Sequence, residues 1–270
     1  MTLPTRRRFL YFASASALTL RSALAQSASP GGIETVDRMP LTADPAFEVA
    51  TIRPSNPDDQ SQGFHTSGRS IYIENMPLDV IITFAYDIHP KQLANAPAWI
   101  SSDRYDIKGV PDAPGQPNLR QQQTMLRKLL ADRFHLKAHH EQRDLSIYAL
   151  TVLKSGPKLK PSTSDPKDLP DQTGNGGGNQ QFMRFTNNSM HDFARGMGFF
   201  LDRPVIDQTH LPGKFDFRLE WTPENSIPTD AKAAPGLFTS IQEQLGLKLE
   251  AVKGPADILV VDHVEKPTAD

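Results

Sequence analysis

Four of the seven residues from His135 to Glu141 carry groups that bind metals or move protons: His135, His139, His140 and Glu141. Alternate residues of a strand share a face. His139 and Glu141 therefore form a two-ligand start for a zinc site, which needs a third ligand from elsewhere in the fold. A second pattern competes with that chemistry. When Leu126–Leu153 is laid over Leu237–Val264 without a gap, His135 falls on Gly246, the residue that ends the later helix. Histidine tolerates the left-handed backbone region better than most residues, so a helix stop accounts for His135. Lys137, His139 and Glu141 then make the polar face of a strand, matching Lys248 and Glu250. The solvated face is the reading adopted; His139 and Glu141 stand as the metal candidates, and no cofactor is expected.

The remaining acids and bases support structural readings as well. Asp103 and Asp106 are spaced for general acid and base work. Asp103 reads as part of a turn with Ser101 and Ser102, and Asp106 as an outward residue between Arg104 and Lys108, as Asp216 is between Lys214 and Arg218. Opposite charges on a strand face form exposed pairs. Asp207 with His210, and Asp262 with His263, have the residue types of a triad, but a triad is a relation in space that spacing does not supply. There is no G-x-S-x-G elbow, no H-E-x-x-H and no phosphate-binding G-K-[ST] in the chain. Trp99 and Tyr86 are candidates to line a groove, though a tryptophan under helices is more often core. No catalytic residue is assigned.

The elements that would hold these groups follow from periodicity. Leu78, Ile81, Ile82 and Ala85 lie at helical spacing, with Pro77 suited to the first turn and Asn75 near the cap. A second helix starts near Asn118 and aligns Leu119, Leu126, Leu129 and Leu130, with Met125 on its edge. Met190, Phe193, Ala194 and Met197 mark a third, and Leu237, Phe238, Ile241 and Leu245 a last one that stops at Gly246. Phe215, Phe217, Leu219 and Trp221 alternate with Lys214, Asp216, Arg218 and Glu220, the period of a strand. Ile147–Leu153 and Ile258–Val264 are apolar on both faces, so they belong at the centre of a sheet. Each follows a helix, a break, an alternating strand and a turn. Asn75–Asp79 matches Asn188–Asp192, and Arg104–Lys108 matches Lys214–Arg218. The expected fold is α+β, built as two diverged halves, each with helices packed on a mostly antiparallel sheet.

The amino terminus carries a different message. Arg6 and Arg7, followed by Phe9 and Leu10, form the pattern of a twin-arginine export signal. A twelve-residue apolar stretch follows, too short for the roughly 20 residues that span a bilayer. Ala23 and Ala25 then make a small-x-small cleavage site. Cleavage there removes four arginines, leaving 25 basic against 31 acidic residues, a net charge of −6. An acidic domain lacks the positive footprint that nucleic acid requires. With zero cysteines, disulfides, thiolate metal sites and a cysteine nucleophile are excluded. The layout is a signal peptide over 1–25, a tether over 26–45, a first half over 46–160, a Gly/Pro/Ser-rich loop over 161–180 and a second half over 181–267. No transmembrane segment is expected in the mature chain. Its place is the periplasm or the medium.

Several stretches together resemble one family. They are Phe47–Pro54, Ala96–Trp99, Ser102–Ile107, Leu129–Phe134, Arg203–Asp207, Phe215–Pro223 and Leu259–Pro267. The chain resembles the large family of uncharacterised exported proteins expanded in soil acidobacteria, over essentially all of Phe47–Pro267. His210 departs from it, since the turn there often carries Gly. The resemblance implies that related domains can follow a membrane-embedded sensor metallopeptidase of the beta-lactam-sensor type, which this chain lacks, and it brings no catalytic residues. The helix-plus-hairpin units are also similar to the short amino-terminal domains of secretins and TonB-linked receptors, a likeness of fold only. Three readings follow: a non-catalytic module that binds a small ligand or envelope protein, an envelope hydrolase with a His and carboxylate near His139 or Asp207, and an assembly component that pairs through strand edges.

Overall fold

The computed structural model describes residues 37–56, 58–59, 61–175, 181–223 and 234–267. Arg6, Arg7, Phe9, Leu10, Ala23, Ala25 and the glycines at 176–178 lie outside the described residues. The fold is α+β, with three four-stranded sheets, two of them wholly antiparallel. Of the described residues, one compact unit gathers 37–87, 95–138 and 261–267, and the other gathers 88–94 and 139–260. No helix among the described residues is long and apolar enough to cross a membrane.

In the first unit the sheet runs in the order β1 (Phe47–Pro54), β5 (Arg104–Pro111), β3 (Ser70–Pro77), β2 (Gly63–Ser67). Three helices belong to the same unit: α1 (Leu78–Tyr86), α2 (Trp99–Ser102) and α3 (Leu119–Arg133). Ile52, Ile73 and Ile107 from the sheet are sealed from solvent, as are Ile81 and Ile82 from α1 and Leu126 and Leu130 from α3. α3 begins with a reciprocal cap: the Asn118 side chain accepts from the Gln121 N–H while Gln121 accepts from the Asn118 N–H. It ends as expected at His135, whose φ is 49°. The N–H groups of Phe134 and Leu136 both donate to the Leu130 carbonyl, at 3.2 and 3.1 Å.

Three expectations for this unit are revised. Leu119, placed on the apolar stripe, is 49% exposed, and Met125 is the residue that is buried. α3 is fifteen residues long and packs on the nine-residue α1. Pro77 is itself the α1 cap, and Asn75 lies before it in the left-handed region at φ 49°. Of the stretch read as a tether over 26–45, residues 37–45 are described and are held against the unit. Met39 is buried, its N–H donates to the Gln116 carbonyl at 2.9 Å, and the Gln121 amide donates to the Pro40 carbonyl at 2.7 Å. Gly115 permits this approach, since a Cβ there would stand 2.7 Å from the Met39 nitrogen.

The second unit holds the other two sheets. The antiparallel one is ordered β7 (Lys160–Pro161), β11 (Phe215–Trp221), β9 (Gln181–Asn188), β8 (Asp171–Asn175), the same connectivity as in the first unit. The mixed sheet is ordered β10 (Val205–Asp207), β6 (Lys137–Val152), β12 (Leu247–His263), β4 (Leu93–Ala94). β10 runs parallel to β6 and β4 parallel to β12. The first two residues of β6 and the last three of β12 fall in the other unit. α4 (Met190–Met197) and α5 (Leu237–Ser240) complete the unit, α5 continuing as a wider π turn over Ile241–Leu245. Phe185, Phe193, Leu219, Trp221, Ile241 and Leu247 form its core.

The apolar strands 147–153 and 258–264 lie centrally, as their sequence requires, but each belongs to one continuous strand of 16 or 17 residues. The turn expected before each is absent. Polar and exposed residues in mid-strand, such as Gln142 to Asp144, read as a turn by composition alone. Likewise the stretch read as a loop over 161–180 contains β8, an edge strand on β9 that needs no apolar alternation. Gly246 ends the π turn at φ 67°, as expected. A Cβ there would collide with the Gly156 carbonyl oxygen and stand 3.1 Å from the Pro157 Cα.

Candidate functional site

The most distinctive polar arrangement is built twice. In the first unit, β3 bulges before α1, and Asn75 takes up a left-handed backbone there. Its N–H donates to Asp106 Oδ1 on β5 at 2.9 Å, and the Ser55 hydroxyl donates to the same oxygen at 2.7 Å. The Asn75 side-chain amide donates to the Asp59 carbonyl at 2.9 Å, and Arg104 donates to the Asn75 carbonyl at 2.7 Å. In the second unit Asn187, at φ 56°, stands before α4 in the same way. Its N–H donates to Asp216 Oδ1 on β11 at 2.8 Å, and the side chain of Ser162 bonds the same carboxylate. The Asn187 amide donates to the carbonyls of Asp165 and Asp168 at 3.0 and 2.7 Å. Lys214 donates to the carbonyls of Pro166 and Asp168 at 2.8 and 2.9 Å. Ser55 and Ser162 also donate their N–H groups to the carbonyls of Arg104 and Lys214.

These bonds change the meaning of the acids. Asp106 does not face outward between two cations, as its neighbours in sequence suggest; its carboxylate accepts from Asn75 and Ser55 and fixes the bulge. The backbone N–H of Asn187 holds the Asp216 carboxyl below its ordinary range, against the opposing effect of burial, with Ser162 and Thr163 adding to it. The partner of Asn75 is Asn187 rather than Asn188, a shift of one residue from the sequence match. α4 spends Ser189 on its cap, where α1 uses Pro77. Asn188, fully buried, donates to the carbonyls of Asp171 and Thr186, both at 2.8 Å.

His139 and Glu141 do lie together, with Nε2 3.0 Å from Oε1, but Glu141 is shared with Arg143 at 2.6 Å. Bonds from His139 and then Arg143 keep the Glu141 carboxyl below its usual range. Among the described residues no third His, Asp or Glu joins a group able to hold a metal ion. His135 and His140 are not part of that pair. His140 Nδ1 lies 2.6 Å from Asp257 Oδ2, and Gln92 donates to the Asp257 carbonyl at 2.6 Å. A carboxylate on one imidazole nitrogen is the orienting half of a triad. Both side chains are about half exposed, and no hydroxyl among the described residues bonds His140.

The other candidates hold turns and tails. Asp207 accepts from the N–H and the hydroxyl of Thr209, at 2.9 and 2.7 Å, shaping the turn in which His210 adopts φ 55°. Asp103 takes the Lys266 ammonium at 2.6 Å, and that bond is the main reason its carboxyl titrates low. Lys266 also sits 5.4 Å from the centre of the Trp99 ring, so Trp99 anchors the carboxy-terminal segment. His263 meets Glu265 at 2.7 Å, and the Glu265 N–H donates to the Phe134 carbonyl. Tyr86 is half buried, and burial raises its hydroxyl while Arg127 opposes that.

Reading the sequence misses the Asn latches and the His140–Asp257 pair. The latches left one signal: an Asp at matching places in two alternating strands, each two residues after a cation. The His140–Asp257 pair joins residues 117 apart and left none.

The chain is thus α+β, and each unit carries an Asn backbone N–H bonded to an Asp carboxylate before a helix. Residues 79–264 match the model of a family described as protein of unknown function (DUF3738), well over half the chain, and the chain belongs to that family. No curated protein and no solved structure matches it.

Proposed function

We propose that this chain is an exported, non-catalytic module of the cell envelope that binds a small ligand or an envelope protein. The observation that carries the reading is where its acids are spent. Asp106 and Asp216 hold backbone bulges, Asp207 shapes a turn and Asp103 anchors the tail. Groups committed to holding backbone are poorly placed to move protons in a reaction. Two antiparallel sheets of one connectivity suit a duplicated unit, and a duplicated unit suits recognition. Export rests on Arg6, Arg7, Phe9 and Leu10, with cleavage after Ala25. The resemblance to domains that follow sensor metallopeptidases supports a place in ligand sensing.

Native mass spectrometry of the protein recovered from the periplasm of its own host tests this. The expected mass begins at Gln26 and includes a reproducible adduct or partner chain. An R6K/R7K double variant that still reaches the periplasm with residues 1–25 removed overturns the export route. A bare chain under gentle conditions overturns tight binding.

A second reading has one observation in its favour. The His140–Asp257 geometry orients an imidazole as a general base requires. Hydrolysis of simple ester or phosphoester substrates by the wild type, lost in both H140A and D257N without a change in unfolding midpoint, would establish a hydrolase instead.

A further inference from the structure

Among the described residues the outer edge of β6 is open over much of its length. β10 pairs with Tyr148–Leu150, and no other described strand pairs with that edge. The residues ahead of it, His140, Gln142, Arg143 and Asp144, are exposed. An unpaired edge presents a row of N–H and C=O groups that another strand can complete. We propose that a second copy of this chain adds there, antiparallel, about a two-fold axis through Gln142.

The argument comes from the order of charges. A two-fold axis perpendicular to a sheet keeps each face, so residues directly opposite must share a face. Centring the axis on Gln142 sets Gln142 opposite itself, Glu141 opposite Arg143 and His140 opposite Asp144, with the reverse pairs completing the set. The two Glu141–Arg143 pairs are of opposite charge, and such cross-strand pairs favour the register that makes them. Moving the axis by one residue sets Glu141 or Arg143 opposite its own copy, which repels. The pattern therefore selects one register and an isologous contact.

Within one chain the same residues already associate. Arg143 lies 2.6 Å from Glu141 on one face, and His140 lies 2.6 Å from Asp257 on the other. Pairing closes the first of these into a ring of four alternating charges. Other edges lack this order. On β1 an axis through Ala50 sets Glu48 opposite Ile52 and Arg53 opposite Phe47. On β12 Pro255 lacks the N–H that a partner strand would use.

The test is a charge exchange, read by light scattering on a sizing column and by native mass spectrometry of the purified protein. Wild type should shift toward twice the monomer mass as concentration rises. E141R and R143E should each remain at monomer mass over the same range, with unfolding midpoints close to wild type. An equimolar mixture of the two should recover the dimer, because one copy then carries two cations and the other two anions at these positions. Three results would overturn the proposal: a wild type that stays monomeric at every concentration, a dimer that persists in both single variants, or folded variants whose mixture stays monomeric.

Discussion

The latches before α1 and α4 share a plan and differ in depth. Asn75 is partly exposed and its amide reaches one loop carbonyl, that of Asp59. Asn187 is 1% exposed and its amide reaches two, those of Asp165 and Asp168. Both leave the side-chain oxygen buried without a donor, and turning the Asn187 amide over would set that oxygen against two carbonyls. The helix stops differ likewise. His135 adopts a left-handed backbone in the open, whereas Gly246 does so against the Gly156–Lys158 backbone. One design has thus been sunk into the second unit and left near the surface in the first. The cost of the same substitution should follow that depth.

The largest effect is expected at Gly246. G246A adds a Cβ to a left-handed residue and drives it into the Gly156 carbonyl, and should cost about 3 kcal/mol or more in chemical denaturation. Equal stability would show that the stop is not confined as described.

Next come the latches themselves. N187A removes a buried amide that donates to the Asp165 and Asp168 carbonyls, the second of which keeps Lys214, and sets an alanine at positive φ; it should cost about 2–3 kcal/mol. N75A should cost about 1–2 kcal/mol, and reversal of that order would break the comparison. The glycine variants at both positions separate the backbone part, since glycine adopts positive φ without penalty.

The third prediction concerns acid. The folded Asp216 carboxyl titrates below its ordinary value of 3.8 because the ionised form accepts the Asn187 N–H. Its stabilising contribution is therefore present above that value and is lost as pH falls through the lower folded value. D216N should be less stable than wild type at neutral pH, and the difference should shrink below about pH 4. A difference that grows in acid would contradict the assignment.

The smallest change belongs to His135. H135G exchanges an exposed left-handed histidine for the residue that suits the conformation, and should move stability by no more than about 0.5–1 kcal/mol. Set beside G246A, it sharpens the contrast between an open stop and a closed one.

Local regularity explains what could be read in advance. The alternation from Phe215 to Trp221, the stripe of α1 and the stops at His135 and Gly246 depend on near neighbours and are found as expected. The two long strands look broken at their polar middles because an exposed strand has no apolar alternation to announce it. Ordering of Met39 depends on Gly115 and Gln121, which lie far along the chain. The latches were hidden for the same reason: Asn75 meets Asp106 across 31 residues and Asn187 meets Asp216 across 29. Composition makes those acids look like surface pairs, and only the bulges give them their work.

Native-state hydrogen exchange at the amides of Asn75 and Asn187 tests most directly whether those acids are spent on backbone. Both amides should exchange slowly in the wild type. D106A should release only Asn75, and D216A only Asn187, while the neighbouring ladder amides stay protected. Fast exchange at both amides in the wild type, or protection unchanged by either substitution, would contradict the account.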